Sequence, residues 1–169
     1  MANEAKVFMT AQVLPDSIKK QFTNCNVSIT PATNNEKWYY RVSIVASGSS
    51  VNLIKGAFKG LNAGTPVGDA QAAIASGDKV RFIFIKHTGT TDGTTSTTES
   101  VVICLDGDTA AYNLVDGIEI GPGEAFWMKC PNTTVDNLHV ATVDSNMNDG
   151  GSAGEDNILL RVAALIDDV

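Results

Sequence analysis

The feature that most constrains the fold of this chain is a two-residue alternation of side chains, repeated in short runs along the sequence. In residues 38–45 (WYYRVSIV), every second residue from Trp38 to Ile44 is apolar and shares one side of an extended chain. Successive side chains of a β-strand point to opposite faces, so a period of two predicts strands. We predict strands over residues 38–45, 79–86, 101–105, 118–120, 124–130, 138–143 and 158–166.

Turn-forming residues separate these runs and indicate how the strands connect. Residues 89–93 (GTTDG) predict a hairpin loop, and residues 121–123 (GPG) predict a tight turn. The continuous apolar run at 101–105 predicts a central strand that is buried on both faces. The alternating strands predict sheets with one core face and one polar outward face. About eight closely spaced strands predict an all-β fold, a β-sandwich of the jelly-roll type.

Two segments predict short helices within this β fold. Residues 15–22 (PDSIKKQF) begin with proline and place Ile18 and Phe22 four positions apart. Residues 66–76 (PVGDAQAAIAS) place apolar side chains at helical spacing, with Gly77 as the end signal.

The length of 169 residues fits one domain, which we place at residues 13–169. We expect residues 1–12 to form an arm or strand that crosses to a neighbouring molecule, because they have no evident hairpin partner nearby.

The net charge of −7 predicts partners other than nucleic acid and anionic membranes, because an acidic surface repels both. The first residues lack the apolar core of a secretion signal, and no apolar stretch approaches the ~20 residues of a membrane span. We therefore expect the chain to fold in a reducing cytoplasm.

Residues suited to catalysis are few in this sequence. Its two histidines, His87 and His139, lie outside any metal-binding motif and are expected to be ordinary strand residues. Cys25, Cys104 and Cys130 are widely spaced and form no CxxC pair, so we expect buried thiols. The nucleophile elbow GxSxG and the phosphate-binding GxxxxGK[ST] are both absent. The sequence predicts a protein that is not an enzyme and needs no cofactor.

One acidic loop is a candidate metal site. With Asp144 as the first position, Asn146 is third, Asn148 is fifth and Glu155 is twelfth, which are the ligand offsets of a calcium loop. The sixth position, however, holds Asp149 where a calcium loop has glycine, and strands are predicted on both sides. A hard-cation site and a solvated turn both remain open, and the departures favour the turn.

A carbohydrate-binding β-sandwich module, assisted by calcium in the same loop, is an alternative function. Its sugar site would be lined by Trp38, Tyr39, Trp127 and His139. Aromatic side chains at alternate strand positions more often belong to a core.

The last third of the chain has a recognisable order of motifs. IEIGPGE at 118–124 is followed by Thr133-Thr134, LHVAT at 138–142, the acidic glycine loop and a closing IDDV at 166–169. Over residues 117–169 this order resembles small virion structural proteins of tailed bacteriophages, notably those that infect cyanobacteria.

The resemblance implies a jelly-roll protein of the virion. It would serve as a capsid decoration protein of the cement or knob type, or as a head or tail subunit. Its partner would be the major capsid protein or another virion protein. A homo-oligomer is also implied, and a trimer would suit the three-fold axes of a capsid.

Overall fold

The fold is built almost entirely from β-strands. The computed structural model describes residues 5–13, 20–29, 36–45, 47, 50–54, 57–59, 70–73, 75–105, 117–143 and 154–167. These segments contain twelve strands: β1 (Ala5–Val13), β2 (Lys20–Ile29), β3 (Glu36–Val45), β4 (Val51–Asn52), β5 (Ala57–Lys59), β6 (Ala70–Ala73), β7 (Lys79–His87), β8 (Ser100–Cys104), β9 (Gly117–Ile120), β10 (Ala125–Thr134), β11 (His139–Val143) and β12 (Ile158–Asp167). A single turn of 3-10 helix, Val135–Asn137, joins β10 to β11.

Two four-stranded sheets form the body of the protein. The first sheet has the order β10-β7-β12-β3 and the second has the order β4-β11-β8-β9, with antiparallel neighbours throughout. Residues of both sheets meet in one apolar core, among them Ile85 and Val162 of the first sheet and Ile103 and Val140 of the second. The chain is therefore a β-sandwich, as the alternation predicts. Within the described part of the chain, no helix has the length and apolar character needed to cross a bilayer.

β12 shows why the last apolar run is a strand despite its two adjacent alanines. It pairs with β3 without interruption from Ile158↔Val45 to Asp167↔Glu36, and its other edge pairs with β7. Ala164 lies in the core and Ala163 lies on the opposite face. Ladders on both edges of β12 satisfy most of its backbone groups, so pairing outweighs the helix propensity of alanine.

β8 confirms the prediction of a central strand buried on both faces. It lies between β11 and β9, and all five of its residues are buried. Val101 and Ile103 belong to the main core, whereas Cys104 packs with Ala141 in a separate cluster.

The described parts of the two predicted helices are strands, apart from residues 75 and 76, which lead into a turn, so the helix predictions are wrong there. Residues 20–22 belong to β2, which pairs with β1, and residues 70–73 form β6, which pairs with β5. Cross-strand pairing satisfies these backbone groups, and a helical spacing of a few apolar residues does not outweigh it. Residues 15–19, 66–69 and 74 lie outside the described residues.

The pairing of β1 with β2 also corrects the premise of the N-terminal arm. Ala5 lies opposite Ile29 and Val13 lies opposite Lys20, so this segment does have a partner strand nearby. The crossing of an arm to a neighbouring molecule, and the division into residues 1–12 and 13–169, remain predictions.

The two predicted turns connect the sheets. Residues 90–96 form a tight local turn, with an antiparallel bridge between Thr90 and Ser96 and the Thr91 N–H donating to the Thr95 carbonyl at 2.9 Å. The loop nevertheless leads from β7 in the first sheet to β8 in the second, so it does not join a hairpin of neighbouring strands. β7 instead pairs with β10 and β12. The tight turn at residues 121–123 is present, and it leads from β9 in the second sheet to β10 in the first. Its Gly123 has φ of 81°, and the Glu124 N–H donates to the Gly121 carbonyl at 3.0 Å.

Candidate protein-binding face

The outward face of the first sheet carries aromatic residues where a polar surface was expected. Directly opposite pairs place four residues in one row across the sheet: Trp127 on β10, Phe84 on β7, Ala163 on β12 and Tyr40 on β3. Neighbouring strands lie about 4.8 Å apart, so this aromatic row extends over about 14 Å.

A local irregularity in β7 lies next to this row. Simple alternation along β7 would place Val80 on the same side as Phe82 and Phe84. The register with β12 shifts at Arg81, so Val80 lies opposite Ile166 and Phe82 lies opposite Leu165. Val80 therefore enters the main core with Ile83 and Ile85, and the two phenylalanines face outward.

The outward aromatic residues are only partly covered. Tyr40 is 51% exposed and Val42 is 48% exposed, and they are the exposed large hydrophobic residues of the described chain. Phe84 and Trp127 are half-buried. Ile29 of β2 forms a cluster with Phe82 and Leu165, which are almost fully buried. Phe84 and Trp127 pack against this cluster. The β1–β2 hairpin thus covers one part of the face and leaves Tyr40 and its neighbours open.

Three cations flank the aromatic row. Lys86 and Arg161 lie directly opposite each other in the adjacent row, and Lys129 lies opposite Phe82 on the other side. All three are exposed, and none forms an ion pair with another residue of the described segments. The basic-aromatic face consists of Tyr40, Val42, Phe84, Lys86, Trp127, Lys129, Arg161 and Ala163.

A buried carboxylate organises the neighbouring end of the sandwich. Glu99 lies just before β8 and is 9% exposed. Its Oε1 accepts a hydrogen bond from the Glu155 N–H at 2.8 Å, and its Oε2 accepts one from the Asp156 N–H at 2.9 Å. Asp156 in turn accepts a hydrogen bond from the Thr97 hydroxyl at 2.7 Å. Glu99 therefore fixes the segment that leads into β12.

His87 lies in the same region and has a structural role there. It is fully buried, and burial lowers its pKa, so the imidazole is neutral. The Gly89 N–H donates to its Nδ1 at 2.9 Å, which places the ring proton on Nε2. Nε2–H then donates to the Glu99 carbonyl at 3.1 Å. Both ring nitrogens are used in holding the loop after β7.

The remaining candidate residues are not brought together into one site. His139 begins β11 in the second sheet and donates from Nε2 to the Asp136 carbonyl at 3.0 Å. Trp127 lies on the outward face of the other sheet, so these two residues of the predicted sugar site are separated. The other two, Trp38 and Tyr39, lie in β3.

The calcium loop falls largely outside the described residues, which include neither Asp144, Asn146 nor Asn148. Glu155 is described, and its side chain is exposed. Within the described segments, no group of three His, Cys, Asp or Glu residues is placed to hold a metal ion. The calcium site remains a prediction.

Two of the cysteines are buried thiols, as expected. Cys104 and Cys130 are both fully buried. Burial raises the pKa of the Cys130 thiol to about 11, which keeps it protonated at neutral pH.

Comparisons with known proteins give a weak structural similarity. No protein-family model and no curated protein matches the chain. A solved structure of the Tobacco streak virus coat protein dimer is similar to it, with a TM-score of 0.40 and 13% sequence identity. The match covers 81% of this chain and 88% of that chain. At this level the chain is weakly similar to a viral coat protein, and no functional conclusion follows from that similarity.

Proposed function

We propose that this chain is a non-enzymatic structural protein of a bacteriophage virion, a capsid decoration protein or a head or tail subunit, that acts by binding protein. The observation that carries the proposal is the partly exposed aromatic row on the basic-aromatic face. Its partner is the major capsid protein or another virion protein, and its place of assembly is the host cytoplasm.

The composition of the face is that of a protein interface. Trp, Tyr and Arg are the residue types that dominate binding energy in such interfaces, and Trp127, Tyr40 and Arg161 supply one of each. A partner that covers Tyr40 and Val42 removes apolar surface from water, which stabilises the complex. The motif order of residues 117–169 supports the assignment to a phage particle.

Capsid binding tests the proposal. Phage heads that lack this chain would be mixed with the purified protein and sedimented, and the bound fraction measured as a function of concentration. Because truncating an interface hot spot costs about 2 kcal/mol, replacing both Tyr40 and Trp127 by Ser is expected to weaken binding by about 30-fold or more. Glu119→Gln, an exposed change on the second sheet, is the control and is expected to bind as the unmodified chain does.

Two results would count against the proposal. One is failure of the unmodified chain to sediment with the heads. The other is binding by the Tyr40→Ser/Trp127→Ser variant with unchanged affinity.

Carbohydrate binding is the second candidate function, because a row of aromatic side chains on a sheet is also a surface on which sugar rings stack. A glycan array separates the two functions. Binding of a defined glycan that is lost in the Tyr40→Ser/Trp127→Ser variant would favour the carbohydrate-binding function, and its loss on chelation would indicate that calcium assists.

A further inference from the structure

We infer that the basic-aromatic face binds the acidic loop end of a second copy of this chain, so that copies join end to face. The acidic end is defined by the exposed carboxylates Asp92, Glu124 and Glu155, which lie in the loops 88–99, 121–124 and 154–157. The inference rests on the proposed function in one respect, namely that the face binds protein.

The three loops form one structural unit. The His87 N–H donates to the Glu124 carbonyl at 3.0 Å, and the Leu159 N–H donates to the Thr90 carbonyl at 2.9 Å. Glu99 joins the first loop to the third through the Glu155 and Asp156 amides. The carboxylates are consequently presented on a fixed surface, so little conformational entropy is lost when a partner binds them.

The charge of this end is uniformly negative. Its three loops contain no Lys or Arg, and they contain Asp92, Glu99, Glu124, Glu155 and Asp156. Glu99 is buried, whereas Asp92, Glu124 and Glu155 are exposed to a partner, although Asp92 and Glu124 also accept hydrogen bonds within their own loops. Hydrogen bonds from Thr94 and Thr95 lower the pKa of Asp92, so this group is ionised at neutral pH.

The basic-aromatic face carries positive charge, which complements the acidic end. Lys86, Arg161 and Lys129 lie together on a chain whose net charge is −7, and no described carboxylate of the same chain forms an ion pair with them. A second copy carries the required carboxylates at the end of its sandwich. Complementary charge on the two surfaces orients the encounter and disfavours a contact between two acidic ends.

The loop end also offers apolar groups to the aromatic row. The loop 88–99 contains seven threonines, and those at positions 94, 95 and 98 are exposed. Their methyl groups are suited to pack on Tyr40 and Trp127 while their hydroxyl groups stay hydrated. Because the two surfaces of such a contact differ, repeated contacts produce a ring if the rotation closes and a filament if it does not.

A single-stranded nucleic acid is the other macromolecule that binds aromatic residues flanked by cations on a sheet. The net charge of −7 and the acidic end beside the face oppose a polyanion. The same features favour the acidic end of a protein that carries its own apolar groups.

A charge-exchange experiment tests the inference with purified protein alone. The face-reversed variant is Lys86→Glu/Arg161→Glu, and the end-reversed variant is Asp92→Lys/Glu124→Lys. Mass would be measured by size-exclusion chromatography with light scattering in about 50 mM salt and in about 500 mM salt.

We expect the unmodified chain to associate at low salt, and each variant alone to associate at least about tenfold more weakly. A mixture of the two variants is expected to form a complex containing both, because each reversed surface then meets its complement. Glu119→Lys is the matched charge reversal outside both surfaces and is expected to associate as the unmodified chain does.

The mixing step shows that both variants are folded, so loss of association in each alone cannot be assigned to unfolding. A strictly monomeric unmodified chain would overturn the inference, as would unimpaired association of either variant or failure of the mixture to associate. Binding of a labelled oligothymidylate that is lost in the face-reversed variant would also overturn it and assign the face to nucleic acid. Since no capsid is present, a negative result here differs from failure of the sedimentation assay, which tests the proposed function.

Discussion

Glu99 provides a direct test of how the sandwich holds its acidic end. We predict that Glu99→Ala destabilises the protein, because the Glu155 and Asp156 amides then lose their shared acceptor. A hydrogen bond to a charged group contributes about 1.5–3 kcal/mol. In the variant the two amides, which lie close to solvent, regain part of this free energy by hydrogen bonding to water. The free energy of unfolding is therefore expected to decrease by about 3 kcal/mol. For a domain of this size, 1 kcal/mol corresponds to about 2–4 °C in Tm, which predicts a decrease of about 6–12 °C.

Thermal unfolding followed by circular dichroism measures this effect, and amide hydrogen exchange locates it. Faster exchange is expected at Glu155 and Asp156. Glu119→Ala removes an exposed carboxylate from β9 and is expected to change the free energy of unfolding by less than about 0.5 kcal/mol. A decrease of less than about 2 °C for Glu99→Ala, with unchanged exchange at the two amides, would refute the role assigned to this carboxylate.

A double-mutant cycle between Gly154 and Glu99 provides a second test of the role of the Glu99 carboxylate. A Cβ atom at this position would lie 2.4 Å from Glu99 Oε2 and 2.9 Å from Thr142 Oγ1, so Gly154→Ala displaces the carboxylate from its hydrogen bonds. Once Glu99 has been replaced by Ala, the nearest obstacle is gone. We therefore expect Gly154→Ala to cost less in the Glu99→Ala background than alone, and strictly additive costs would contradict the close approach.

Two further predictions concern buried titratable groups. The unfolded chain binds a proton at His87 near the ordinary pKa of 6.5, whereas the folded chain does so only at lower pH. The contribution of the neutral His87 to stability is therefore fully present above pH 6.5 and decreases as the pH falls below it. Urea unfolding between pH 7.5 and 5.5 should show a shallower decrease for His87→Gln, and an unchanged slope would show that the imidazole does not act in this way. Burial and a pKa of about 11 should leave Cys130 unmodified by iodoacetamide at pH 8 until the chain is unfolded, as mass spectrometry of peptides would show. Rapid alkylation of the folded protein at Cys130 would contradict its burial.

The strands of the sandwich follow directly from local sequence, whereas their partners do not. β7, β8, β11 and β12 each contain enough alternating or continuous apolar residues to be recognised alone. A loop of Gly, Thr and Asp, in contrast, serves equally well in a hairpin and in a crossover between sheets. The choice for residues 89–93 depends on β10 and β12, which follow much later in the chain and pair with both edges of β7. That information is not local, so turn chemistry alone gave the wrong connection.

The candidate face was missed for a related reason. Residues 79–86 are apolar on both sides, and alternation does not tell which side enters the core. The shift at Arg81 adds Val80 to the side of Ile83 and Ile85, which is the side that enters the core. Arg81 itself pairs with the buried Asp167, an ion pair between residues far apart in the sequence. The signal available beforehand was that both sides of the strand are apolar, which is typical of a strand covered on both faces.

This two-sided pattern links the fold to the proposed assembly. One apolar side of β7 is covered by the second sheet, and the other is covered in part by Ile29 of the β1–β2 hairpin. Among the described residues, the rest of that side, which continues through Ala163 to Tyr40, has no comparable cover, and Tyr40 is 51% exposed. Removing this surface from water is favourable, and the cations beside it direct an acidic partner to it. The exposed remainder of this side is therefore the surface through which we expect copies of this chain to join.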